Sequence, residues 1–163
     1  MNRNGGGLRA PGLGDAAFGV MAAQSTIPRK YQGRYKEQFA YTLDFLPATL
    51  STTTFGNISI QADSDFIIVG AVGVVTDTAN TTRLTFVPQL LTLTDGGSGR
   101  NLTSNPIHYH NIIGTAEEPA YWPQPKVLDR GSTFTVAIQN LEATSRNVRL
   151  AFLGFKVYDM PDA

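Results

Sequence analysis

Two histidines, His108 and His110, are the only ones in this 163-residue chain, and they stand two apart in the tripeptide HYH. On a β-strand, side chains two apart leave the same face, so this spacing could present two imidazoles to one metal ion. Glu117 or Glu118, the next acidic residues along the chain, would supply a third ligand. The competing reading, favoured here, puts both rings on the solvent face of a strand with Tyr109 turned inward. Nucleophilic catalysis has less to build on. Ser and Thr abound, but there is no Gly-x-Ser-x-Gly elbow and no histidine beyond that pair. Glu117 and Glu118 are adjacent, whereas paired-carboxylate chemistry needs two carboxyls facing each other from different elements. The chain has no cysteine, which excludes disulfides and thiolate metal sites. The expectation is a protein that is not an enzyme and carries no cofactor.

Sixteen aromatics raise a second possibility, the stacking of sugars or bases. Phe39, Tyr41, Phe45, Phe55, Phe66, Phe86, Phe134 and Phe152 fall on strand positions that face inward, and they are expected in the core. Tyr121 and Trp122 differ, because they lie in the proline-flanked stretch EEPAYWPQP, read as a loop. There they are either plugs over the end of the domain or contact anchors. The glycine cluster at residues 5–7 is not a phosphate loop, since no Gly-Lys-Ser/Thr, preceding strand or amphipathic helix accompanies it.

The elements that must position these residues are strands. Only 16% of the chain is charged, well below the usual quarter, and Thr, Ser, Asn, Gln and Gly fill the difference. Such a composition suits half-solvated sheets. QFAYTLDFL (38–46) alternates, with Phe39, Tyr41, Leu43 and Phe45 on one face. TTFGNISIQA (53–62) is a weaker strand, in which Gly56 suggests a bulge. DFIIVGAVGVVTD (65–77) is a continuous apolar run, as expected of a buried central strand. TRLTFVPQLLTLTD (82–95) is a strand interrupted by Pro88, and NPIHYHNII (105–113) is a short one. STFTVAIQN (132–140) and NVRLAFLGFKVYD (147–159) are expected to pair as a terminal hairpin. Both faces of the last strand are largely apolar, so a second sheet should cover one and a neighbouring subunit the other. About eight strands without a long helix predict an all-β, two-layer antiparallel β-sandwich of the jelly-roll kind.

The composition changes near residue 37. Residues 1–37 contain seven glycines and two prolines, with six basic residues against two acidic; the rest of the chain has seven against eleven, so the whole is neutral. An extended N-terminal arm over 1–37, ordering only on a partner, and a sandwich domain over 38–163 are expected. A net charge of zero gives no nucleic-acid footprint, and +4 over the arm is thin for packaging RNA. No apolar run approaches the ~18 residues of a membrane span. AAFGVMAA (16–23) makes a poor signal peptide, and the three N-x-S/T sequons are what a Thr- and Asn-rich chain produces by chance.

The last third follows a pattern: Tyr121-Trp122-Pro123, a strand over Phe134–Asn140, a turn with Asn147, then Gly154-Phe155-Lys156-Val157. In this, and in the polar entry at Asp63 into an apolar run ending at Thr76, the chain resembles small β-sandwich virion proteins of tailed bacteriophages over residues 38–159. The resemblance implies a capsid decoration (cement) protein, or a related head-neck, tail or fibre component with a receptor- or glycan-binding role. In such proteins a jelly-roll body oligomerises, commonly as a trimer, and an N-terminal arm laces over the major capsid protein. The arm's contacts would come from Arg3, Arg9, Arg29, Lys30, Arg34 and Lys36, and the interface anchors would be Tyr121, Trp122 and Phe155. The protein would be made in the host cytoplasm and sit on the outer capsid surface, with no direct contact to nucleic acid or membrane. A cupin-like metal enzyme is the remote alternative. The chain departs from the cupin pattern in having Leu102 where a glycine precedes the histidines, six residues between His110 and Glu117, and no third histidine.

Overall fold

The computed structural model describes residues 27–46, 52–79 and 89–159. Within them the chain forms nine strands: β1 (Lys36–Phe45), β2 (Thr53–Ser59), β3 (Ser64–Asp77), β4 (Gln89–Asp95), β5 (Arg100–Asn101), β6 (Ile107–His108), β7 (Ala120–Leu128), β8 (Thr133–Asn140) and β9 (Arg146–Tyr158). One sheet runs β1-β9-β3-β7, the other β2-β8-β4-β5 with β6 also on β4, and every strand pairing is antiparallel. The chain is therefore an all-β, two-layer antiparallel sandwich. Arg3, Arg9 and the expected strand residues 82–88 lie outside the described residues.

The long strands alternate between sheets along the chain, so each sends one face toward the strand that follows it. The core is made of those faces. Phe45, Ile58, Phe66, Ile68, Leu91, Leu93, Phe134, Val136, Ile138, Val148, Leu150 and Phe152 are all buried in one cluster, with Phe39, Tyr41 and Leu43 packed against it. Edge-to-face ring pairs cross it, Tyr41–Phe66 at 4.8 Å and Phe134–Phe152 at 5.1 Å between centroids, the arrangement that ring quadrupoles favour.

The terminal hairpin does not form. β8 pairs with β2 and β4, whereas β9 pairs with β1 and β3, so the two segments belong to opposite sheets and meet across the core. Alternation identified the buried face of each segment correctly but carries no information about the edge neighbour. A β9 sandwiched between β1 and β3 has both edges occupied before β8 could reach it. Gly154 sits where β9 lies close against β3 in the same sheet, and an added Cβ there would lie 2.0 Å from the Ile67 carbonyl oxygen.

Gly56 makes no bulge. The β2–β8 ladder is continuous from Thr53 to Ser59, so Phe55 and Ile58 fall on opposite faces. Ile58 is buried, and Phe55, expected in the core, is 68% exposed. Gly56 is required for a different reason: its Cβ would lie 2.6 Å from the Phe45 ring. The irregularity occurs instead in β3, where the register with β7 and β9 shifts between Ile68 and Gly70. EEPAYWPQP, read as a loop, is in fact largely the edge strand β7. Its pairing with β3 passes from Lys126 to Tyr121 across Pro123 and Pro125, which have no N–H to donate to a ladder.

The expected arm shortens at its C-terminal end. Ile27 and Tyr31 are buried with Ile67, Val69 and Val157 on the outer face of the four-stranded sheet, and a 3-10 turn over Arg29–Tyr31 places them there. Residues 27–37, assigned to the arm from composition, therefore pack on the body. Residues 1–26 lie outside the described residues.

Candidate interaction surfaces

The strand expected over 105–113 is two residues long, and Tyr109–Asn111 form a 3-10 turn. His108 ends the strand and His110 lies in the turn, so strand alternation no longer places the two rings on one face. Tyr109 is turned inward as expected and is buried. Its hydroxyl approaches Gly73, whose Cβ would lie 2.0 Å away, and burial pushes its pKa well above the usual phenol value. Burial, then the neighbouring His108, holds His110 below the ordinary imidazole value, and its ring packs edge-on to Tyr109 at 5.0 Å. Among the described residues no group of three His, Cys, Asp or Glu side chains is arranged to hold a metal ion.

A second cluster has no counterpart in the sequence reading. Asp65 is buried at the head of β3. Its carboxylate accepts hydrogen bonds from the Tyr31 hydroxyl at 3.1 Å, the Arg130 backbone N–H at 3.0 Å and the Arg130 Nε at 3.2 Å. Arg130 also donates to Asp159 at 2.5 Å, and Arg34 donates to the other oxygen of Asp159 at 2.6 Å. Burial alone would raise the Asp65 pKa; the bonds from Arg130 and Tyr31 outweigh it and leave the carboxyl below its ordinary range. The cluster is a clasp. It fastens residues 31–34 to the start of β3, to the β7–β8 turn and to the end of β9. An Asp opening an apolar strand was the available signal, because a buried carboxylate needs donors; which donors, no local pattern could say.

Of the six basic residues assigned to the arm, Arg34 is thus committed to Asp159. Arg29 and Lys30 are exposed on the turn, with the Lys30 ammonium 4.5 Å from the Tyr31 ring centre. Lys36 opens β1 and is half-buried. The proposed anchors also resolve differently. Trp122 is half-buried, its indole N–H donating to the Ile112 carbonyl at 3.4 Å and its ring 6.4 Å from Phe152. It packs against the main core from the edge strand β7. Tyr121 pairs across from Gly70, whose lack of a side chain admits it. Phe155 packs against the Ile27–Tyr31 cluster.

Among the described residues, 27–31 cover one end of the outer face of the four-stranded sheet. At the other end lies a groove of about 920 Å³, floored by Val72, Val74 and Ala151 and walled by Thr115, Ala116 and Glu117. Gly114 builds that wall by pairing with β3 beyond the end of β7, its carbonyl accepting from the Gly73 N–H at 2.8 Å and its N–H donating to the Ala71 carbonyl at 3.1 Å. Asp44 and Arg149 close the rim as an ion pair at 3.3 Å.

The sandwich defines a class of fold without a catalytic family attached to it. No family model and no curated protein matches the chain. Among solved structures it is similar to a protein described under "Bacillus endospore appendages form a novel family of disulfide-linked pili", at 14% identity and a TM-score of 0.41, over 79% of this chain and 94% of the other. It is also similar to the VP2 subviral particle protein of infectious bursal disease virus, at 11% identity and a TM-score of 0.28, over 81% of this chain and 43% of the other. A mitogen from Yersinia pseudotuberculosis matches at 16% identity and a TM-score of 0.20, over 69% of this chain and 92% of the other. No functional statement about this chain follows from likeness at that level.

Proposed function

We propose that this chain is a structural virion protein of a tailed bacteriophage, a capsid decoration protein whose N-terminal segment binds the major capsid protein and whose sandwich packs against copies of itself as a homo-oligomer. The observation that carries the reading is the clasp. Three elements of the body are spent on holding residues 27–34 down. A Gly-rich segment tied to an anchored root is suited to wrapping a neighbouring surface, and many copies on a shell offset its ordering entropy through avidity. Arg29 and Lys30, exposed at that root, are its nearest basic contacts. The strand order β1-β9-β3-β7 over β2-β8-β4-β5 supports the jelly-roll reading of the body.

The test is attachment to purified shells that lack the protein. Removing residues 1–26 should leave a folded body that no longer sediments with shells, because the cut spares Ile27 and Tyr31. Full binding by the truncated protein would overturn the role of the segment. Quantitative mass spectrometry of intact particles gives the place: hundreds of copies fit a shell decoration, a handful a neck, tail or fibre component.

A further inference from the structure

Among the described residues only three large apolar side chains are strongly exposed: Tyr35, Leu46 and Phe55. Tyr35 stacks on Tyr158 at 5.7 Å, and Leu46 is the last residue before an undescribed stretch. Phe55 has neither excuse. It projects from β2 on the outer face of the five-stranded sheet, opposite Ala137 of β8, which itself lies opposite Thr92 of β4.

β2 (TTFGNIS) and its described neighbour β8 (TFTVAIQN) carry no charge, since they contain no acidic, basic or histidine residue. Across these two strands the Thr135 hydroxyl donates to Asn57 at 2.8 Å, and further along the sheet that of Thr94 donates to Asn101 at 2.9 Å. Covering these two strands desolvates no ionised side chain, and desolvating an ion is the most costly part of burying a surface.

The apolar groove is the complementary feature, and it lies on the opposite side of the same sandwich at the same height. Its rim includes Asp44, the neighbour of Phe45, and the Phe45 ring fills the space beneath Gly56, next to Phe55. On the rim Asp44 and Arg149 form an ion pair, and Glu117 stands on the wall. A projecting aromatic on an uncharged strand pair thus stands back to back with an apolar cleft of about 920 Å³.

We infer that a second copy of this chain seats its Phe55 face in the groove floored by Val72, Val74 and Ala151, a head-to-tail contact between unlike surfaces. Each molecule then keeps a free knob and a free groove, so the contact propagates into rings or open stacks rather than closing as a two-fold dimer. The inference rests on the self-association included in the proposed function but not on the shell, and solution measurements separate the two.

The experiment is a pair of capping variants followed by analytical ultracentrifugation of the full chain. Wild type should associate with rising concentration. Phe55→Arg and Ala151→Arg should each weaken association at least about tenfold, as loss of a buried aromatic anchor does. An equimolar mixture should recover dimers and stop there, because one partner keeps its groove and the other its knob. Ala116→Arg, on the exposed wall, replaces Ala151→Arg if the latter fails to fold by circular dichroism. A monomeric wild type, an unaffected Phe55→Arg, or a mixture that stays monomeric would each overturn the inference. Loss of association on Phe55→Arg alone, with the groove variants unaffected, would also overturn it, because that pattern belongs to like-on-like pairing.

Discussion

Replacing Phe152 with aspartate should leave no folded protein. The side chain is fully buried at the centre of β9, with the Phe134 ring 5.1 Å away in the facing sheet and Trp122 at 6.4 Å. Removing a buried aromatic costs about 3–5 kcal/mol through lost transfer energy and the cavity left behind. An unpaired carboxylate adds a desolvation penalty of several kcal/mol more. Together these match or exceed the roughly 5–15 kcal/mol by which domains are stable. The expected observation is loss of the β circular-dichroism signature and recovery only as insoluble material. Phe152→Leu, which keeps an apolar side chain, should fold with a lowered midpoint in urea. A soluble, cooperatively unfolding Phe152→Asp would mean that β9 does not lie in the core.

Asp65→Ala should cost about 2–4 kcal/mol, because it leaves the Tyr31 hydroxyl and the Arg130 backbone N–H and Nε without their shared acceptor. The figure is held down by the partial exposure of the Arg130 side chain, 35%, which lets water replace part of what is lost. The effect should be local as well as global. With the clasp open, residues 27–34 lose their tie to β3, and trypsin should cut at Arg29, Lys30 and Arg34 before it attacks the body. Cleavage at an unchanged rate would show that the apolar contacts of Ile27 and Tyr31 suffice on their own.

The same carboxyls determine the acid limit. Asp65, Asp95 and Asp159 all have pKa values below the ordinary 3.8. For Asp95, burial pushes up and the Lys126 ammonium at 2.8 Å, with the Ser98 hydroxyl at 2.7 Å, pulls down further. A carboxyl whose pKa is depressed by folding contributes stability that is fully present above the ordinary value and is lost as pH falls through the folded one. Urea midpoints should therefore be flat from neutrality down to mildly acid pH and fall once the carboxyls begin to protonate. In Asp65→Asn the fall should be shallower and the plateau lower. An acid limb identical to wild type would remove Asp65 from the account.

The sequence by itself determined the class of fold and most of the core. Alternation is a local property, and on β1, β8 and β9 it chose the buried face correctly: Phe39, Tyr41, Leu43 and Phe45; Phe134, Val136 and Ile138; Val148, Leu150 and Phe152. The continuous apolar run of β3 marked a strand covered on both sides. Its inner face meets the second sheet, and part of its outer face meets Ile27 and Tyr31. Partners were another matter. Which strand lies beside which is decided by contacts between residues tens of positions apart, so β8 and β9, neighbours in sequence, could be separated into two sheets by β1, β2, β3 and β4 acting together. Phe55 shows how small the deciding difference is: one unformed bulge at Gly56 moved a large aromatic from the core to solvent. The clasp and the groove were beyond any local pattern, because Asp65, Arg130, Asp159 and Arg34, like Val72, Ala116 and Ala151, meet only once both sheets are folded.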